Sequence, residues 1–146
     1  MAVKRISKVH FFSKDRKSGL KNTKQLKLFI QYIFMREKKP LASINYIFCS
    51  DSYLFKINKN YLNHNYFTDI ITFDLSENDG QIIADVFISI DRVRDNAKKL
   101  KTVYKSEIHR VVLHGALHLC GYNDKTGKQK TEMRKMEERL LLKYFS

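Results

Sequence analysis

Apolar and polar positions change their period several times along this chain. Residues 3–12, VKRISKVHFF, partly alternate and carry β-branched and aromatic side chains, which predicts a first strand. A polar turn region over 14–24 contains Gly19. Asn22 or Thr23 can then cap a helix whose apolar positions are Leu26, Phe29, Ile30 and Ile33, ended by Pro40. SINYIFCS, 43–50, predicts a second strand, and Asp51 or Ser52 can cap a helix carrying Tyr53, Leu54, Ile57 and Tyr61. IITFDL, 70–75, predicts a third strand and SENDGQ a turn. IIADVFISI, 82–90, predicts a fourth strand, apolar enough to be buried on both faces.

The second half reads as helical. A polar helix starts at Asp91 and runs to about Lys101. A more apolar one over 106–119 packs through Ile108, Val111, Val112 and Leu119, with Gly121 as a left-handed stop. A last helix over 131–144 carries Met133, Met136, Leu140 and Tyr144 at core spacing. There is no repeat, low-complexity tract or linker. Strands and helices mix without strict alternation, so the expected class is α+β, layered like a sandwich.

A length of 146 residues fits one core, so residues 1–146 are expected to form a single domain. The chain is 43% hydrophobic and 29% charged, a globular balance that excludes intrinsic disorder. No apolar run is long enough for a membrane span, and the opening MAVKRISKVHFF does not read as a cleavable signal. Two cysteines, Cys49 and Cys120, argue against a disulfide scaffold and for a reducing, cytoplasmic setting. Lys and Arg number 28 against 15 acids, a formal charge of +13. That excess points to a polyanionic partner, nucleic acid foremost. Its lysine-rich make-up favours diffuse attraction to phosphates over bidentate base reading.

The segment EIHRVVLHGALHLCGYND, 107–124, carries the candidate chemistry. His114 and His118, four apart on a helix, are turned by only about 40° and face the same way. A helical HxxxH pair presents two imidazoles to one metal ion, zinc foremost. Gly121 allows a sharp turn that brings Asp124 back as third ligand, with Asn123 a weaker alternative. Two nitrogens and one carboxylate leave a fourth position for water, which the metal would make nucleophilic at neutral pH. Gly115 stands where the zinc-protease pattern has its glutamate base, which argues against peptide hydrolysis. Glu107, on the same face, is either a group that orients a ligand histidine or a solvated acid at the helix start. His109 lies off the ligand face. Cys120 is read as a buried cysteine in preference to a ligand. Asp69 before the third strand and Asp85 inside the fourth are acids at apolar places, expected to line the cleft beside the metal; a bulge is the other reading for Asp85.

HGALHLCGYND, His114 to Asp124, together with TDIITF, 68–73, ADVFISI, 84–90, and the late Met136 with Glu137 or Glu138, resembles the YbeY family of bacterial endoribonucleases and rRNA maturation factors. The resemblance implies a compact domain with a small mixed β-sheet packed against helices and a zinc site in a cleft, the metal helix resembling that of zinc hydrolases. It implies single-strand-specific RNA cleavage in 16S rRNA 3′-end maturation and ribosome quality control, with 16S rRNA or the small ribosomal subunit as partner. His114 and His118 take the places of two family ligands, and Asp124 that of a third, usually histidine. The family's arginine in an Asn-x-x-Tyr-Arg stretch is Leu62 here, after Asn58 and Tyr61. Arg92 and Arg94 are candidates by location for the missing phosphate clamp. These departures leave a second expectation open, an RNA- or ribosome-binding assembly factor whose zinc is structural.

Overall fold

The computed structural model describes residues 7–78 and 80–146. Strands β1 (Val9–Ser13), β2 (Leu41–Cys49), β3 (Ile70–Asp74) and β4 (Ile82–Ser89) form one sheet in the order β1-β2-β4-β3. β1, β2 and β4 run parallel, and β3 pairs antiparallel with β4. The helices are α1 (Thr23–Arg36), α2 (Asp51–Leu62), α3 (Ile90–Lys99), α4 (Tyr104–Leu119) and α5 (Gly127–Phe145). The protein is an α+β domain with a small mixed sheet packed against helices. Of the first expected strand, residues 3–6 lie outside the described residues. Among the described residues no helix is long and apolar enough to cross a membrane.

The strand pattern decides where the core lies. Ile44, Tyr46 and Phe48 of β2 alternate onto the same face as Ala84, Val86 and Ile88 of β4, and all are buried against α1, α4 and α5. The opposite face is thinner. There Leu54 and Ile57 of α2 make a small cluster with Cys49 and Ile71, flanked by Phe73 and Phe87. β4 is therefore not buried on both faces as expected, since Ile83, Asp85 and Phe87 are half-buried.

Local chemistry sets the helix ends. Ser50, in place of the expected Asp51 or Ser52, caps α2 by accepting from the Tyr53 amide; Ser89 caps α3 through the Arg92 amide, and α3 starts at Ile90, one residue before the expected Asp91. α1 departs from expectation differently. Asn22 sits at its N-cap position in the left-handed region, φ 53°, without a side-chain capping bond. α5 begins earlier than expected, at a reciprocal capping box between Thr126 and Gln129. Its first turn is polar and shows no apolar period, which is why the pattern concealed it.

α4 crosses the buried face of the sheet and ends in a Schellman turn. The Tyr122 amide donates to the Leu117 carbonyl and the Gly121 amide to that of His118, with Gly121 at φ 104°. Gly115 permits the close approach of α4 to the sheet. A Cβ there would lie 3.1 Å from Ile70 Cδ1 and 3.2 Å from Val86 Cγ1. The position therefore points into the core, where a protease-type glutamate could not reach the cleft. Gly115→Glu is expected to cost about 3 kcal/mol or more, by overpacking and by burying an unpartnered carboxylate. A denaturant midpoint equal to wild type would refute this packing account.

Candidate active site

A cleft of about 340 Å³ opens between the outer face of α4 and the start of β3. One wall carries Arg110, His114 and His118, successive residues of a single α4 stripe, with Asp124 from the loop after Gly121. The facing wall carries Thr68, Asp69 and Thr72. Tight turning at Gly121 returns Asp124 to the helix, leaving its Oδ2 3.3 Å from His114 Nε2. His114, His118, Asp124 and Asp69 thus line one cavity.

Behind this wall lies a buried ionic lattice. Glu137 of α5, 1% exposed, takes His114 Nδ1 at 2.6 Å on one oxygen and Arg110 Nη1 at 3.0 Å on the other. Glu107, equally buried, takes the Nε and Nη2 donors of the same guanidinium. Burial raises the Glu137 carboxyl pKa, but hydrogen bonds from His114 and Arg110 outweigh it and leave the pKa below its ordinary value. Burial opposes charge on Arg110 too, and its bonds to Glu107 and Glu137 more than restore it. His114 follows the same logic: burial disfavours the imidazolium, Glu137 favours it more strongly, and the pKa ends above its ordinary value. Ionised Glu137 only accepts, so His114 Nδ1 carries hydrogen. When the ring loses its other proton the lone pair is on Nε2, the nitrogen beside Asp124.

Several expectations need correction. Glu107 does not orient a ligand histidine, because both its oxygens hold Arg110; Glu137 holds His114. Asp85 lies on the opposite face of β4 from Val86 and does not line the cleft. Its carboxylate accepts from Asn45 Nδ2 at 3.1 Å across the β2–β4 register. Arg92 is paired to Asp51 at 2.8 Å, and Arg94 lies over the Tyr104 ring, so neither enters the cleft. The cleft cation is Arg110, which the sequence reading passed over although it stands one turn before His114. Glu137 also had a signal, since it falls on the buried stripe between Met133 and Leu140. Cys120 is buried in the core and does not line the cleft, and burial pushes its thiol up to about 12.

The chain matches the family model described as endoribonuclease YbeY over residues 10–145. It belongs to the YbeY family. The endoribonuclease YbeY of Cytophaga hutchinsonii is 48% identical over 130 residues, covering 89% of this chain and 91% of that one. The YbeY protein of Amoebophilus asiaticus is 40% identical, with 92% and 91% covered. A Thermotoga maritima protein solved in solution shares the fold at a TM-score of 0.58 and 24% identity, over 94% of this chain and 89% of that one.

Among the described residues, no group of three His, Cys, Asp or Glu stands close enough to hold a metal ion. The donor chemistry of the cleft nonetheless suits one. Two imidazoles and a carboxylate are ordinary zinc donors. Asp69 and Asp124 add two carboxyl groups to the lining, while Glu107 and Glu137 pair with Arg110 behind it. Burial raises the Asp69 carboxyl pKa, and Arg110 and His114 offset this only in part.

Proposed function

We propose that the protein is a metal-dependent endoribonuclease that cuts single-stranded RNA in the α4 cleft. Its cellular role in this reading is 16S rRNA 3′-end maturation and ribosome quality control in the cytoplasm, with 16S rRNA or the small subunit as partner. The observation that carries the reading is the gathering of His114, His118 and Asp124 around one polar cavity in a strongly basic chain.

His114, His118 and Asp124 would hold the metal ion, zinc by donor type. Bound there, it would polarise a phosphoryl oxygen and lower the pKa of a water in the cleft. Glu137 fixes the His114 ring so that Nε2 faces Asp124. Arg110, locked in place by Glu107 and Glu137, keeps a fixed positive charge at the cleft wall that attracts phosphate. Asp69 and Thr68 face the ligand wall across the cleft, where a polar rim can orient the scissile strand.

The approach to the cleft suits unpaired bases. Tyr66 and Phe67, each 54% exposed, immediately precede Thr68. Phe67 packs on Phe55 at 4.6 Å between centroids and lies under the Arg92 guanidinium, a platform on which a base can stack. Phe67→Ala and Tyr66→Ala are each expected to weaken single-stranded RNA binding by about 1–3 kcal/mol while leaving duplex binding unchanged. Filter binding on both substrates checks this; equal losses on both would remove the stacking account.

The test of the reading is cleavage of single- and double-stranded RNA by metal-quantified protein, before and after chelation and after zinc is returned. Single-strand cutting that is lost on chelation and recovered with zinc supports it. A zinc-replete protein that binds RNA or ribosomal subunits but cuts neither alone nor on the subunit replaces it with an assembly factor holding a structural ion.

A further inference from the structure

A second cavity, of about 510 Å³, lies at the start of α4 and shares no lining residue with the cleft. At roughly 100° per residue, Lys105 and His109 stand far round the helix from His114 and His118. His109 is 4% exposed. Its Nδ1 lies 2.7 Å from the Lys105 carbonyl oxygen, so Nδ1 bears the hydrogen and donates it. Burial lowers the pKa of this imidazole, so the ring is neutral and Nε2 is a bare acceptor. No described residue hydrogen-bonds that nitrogen, and no buried polar side-chain atom is left unsatisfied. Nε2 therefore keeps access to open space, which the cavity beside His109 supplies.

Aromatic walls and positive charge complete the pocket. Tyr144 and Phe145 flank the His109 ring with centroids 5.4 and 4.9 Å away. Lys105 Nζ lies over Phe145, and Lys21 borders the far side. There α1 begins with no side-chain cap and no acid in its first turn. The positive end of its dipole thus meets two lysines, Lys21 and Lys24, where an anion would be stabilised. No acidic side chain lines the cavity.

We propose that this cavity is a nucleotide-binding site, taking an amino-bearing base in the open space beside His109, Tyr144 and Phe145, and a phosphate between Lys21, Lys105 and the start of α1. The amino group donates to His109 Nε2, and the base packs against the cavity-facing sides of the two rings. Its volume falls in the range of small-ligand pockets. A free mononucleotide and a nucleotide within an RNA strand present the same chemistry.

Isothermal titration of the full chain distinguishes them, using AMP, adenosine and an eight-nucleotide oligoadenylate as probes. AMP is expected to bind, with adenosine at least about tenfold weaker for want of the charge-assisted phosphate bonds. Lys105→Glu and Lys21→Glu, both at solvent-facing lysines, should each weaken AMP at least about tenfold. His109→Phe should do the same without moving the thermal midpoint far. His114→Ala should leave AMP binding intact, which separates this site from the cleft and from the fate of the endoribonuclease reading. Oligoadenylate binding at least as tight as AMP, weakened by both lysine substitutions and kept in His114→Ala, makes this an RNA site; AMP binding alone makes it a site for free nucleotide. The proposal is overturned if AMP and the oligonucleotide both fail to bind at millimolar concentration. It is equally overturned if both lysine variants bind as wild type, or if His114→Ala abolishes binding.

Discussion

His114→Ala is expected to abolish single-stranded RNA cleavage and to lower the zinc content of the purified protein. His114 joins three features of the site: Nε2 beside Asp124, Nδ1 clamped by Glu137, and a place on the α4 stripe between Arg110 and His118. Its removal takes away a donor and leaves one Glu137 oxygen without its partner. The expected fall in cleavage rate is on the order of 10²–10³ or more, the scale for losing one preorganised electrostatic group. Asp124→Ala should act in the same direction, with a smaller effect on folding, because the Asp124 side chain is 42% exposed against 18% for His114. Zinc per chain by elemental analysis, read beside the rate, separates a lost ion from a lost orientation. His114→Ala protein that cuts as fast as wild type would end the assignment of this cleft as the active site.

Glu137→Ala should be the most destabilising change in the cleft wall. One buried carboxylate satisfies two groups from another helix, so its loss leaves Arg110 and His114 with unpaired donors away from water. Breaking a buried ion pair from one side costs about 3–5 kcal/mol. The denaturant midpoint should fall accordingly, with an unchanged slope. Glu137→Gln is the informative partner: it keeps an acceptor and the shape, so most of the fold should survive. Orientation of His114 should not, and a loss of about 10–100-fold in metal affinity or cleavage is expected. A Glu137→Ala midpoint within about 1 kcal/mol of wild type would show that the lattice contributes specificity of geometry in place of stability.

Much of this protein was legible in its sequence. Among the described residues each strand and helix has a counterpart in the sequence pattern, and the HxxxH pair with Gly121 and Asp124 names the cleft wall, because helix geometry and a tight turn are local facts. Errors arose where a side chain's meaning depends on another element. Asp85 and Asp69 look alike as acids beside apolar runs. The pleat sends Asp85 to Asn45 on the thin face, whereas Asp69, just before β3, falls at the cleft. Glu107 and Glu137 show the same limit, since helix spacing favours Glu107 as the partner of His114. The packing of α5 on α4 brings in Glu137 instead and leaves Glu107 to Arg110.

By itself the sequence determined the kinds of element, the donors on α4 and the positive charge of the whole chain, each set by neighbours along the backbone or by composition. Tertiary structure alone decided which carboxylate meets which cation and where negative charge collects. It also decided how little room position 115 leaves for a side chain. Those outcomes depend on distances between segments far apart in the chain, and both Coulomb energy and steric contact are functions of distance, not of sequence order.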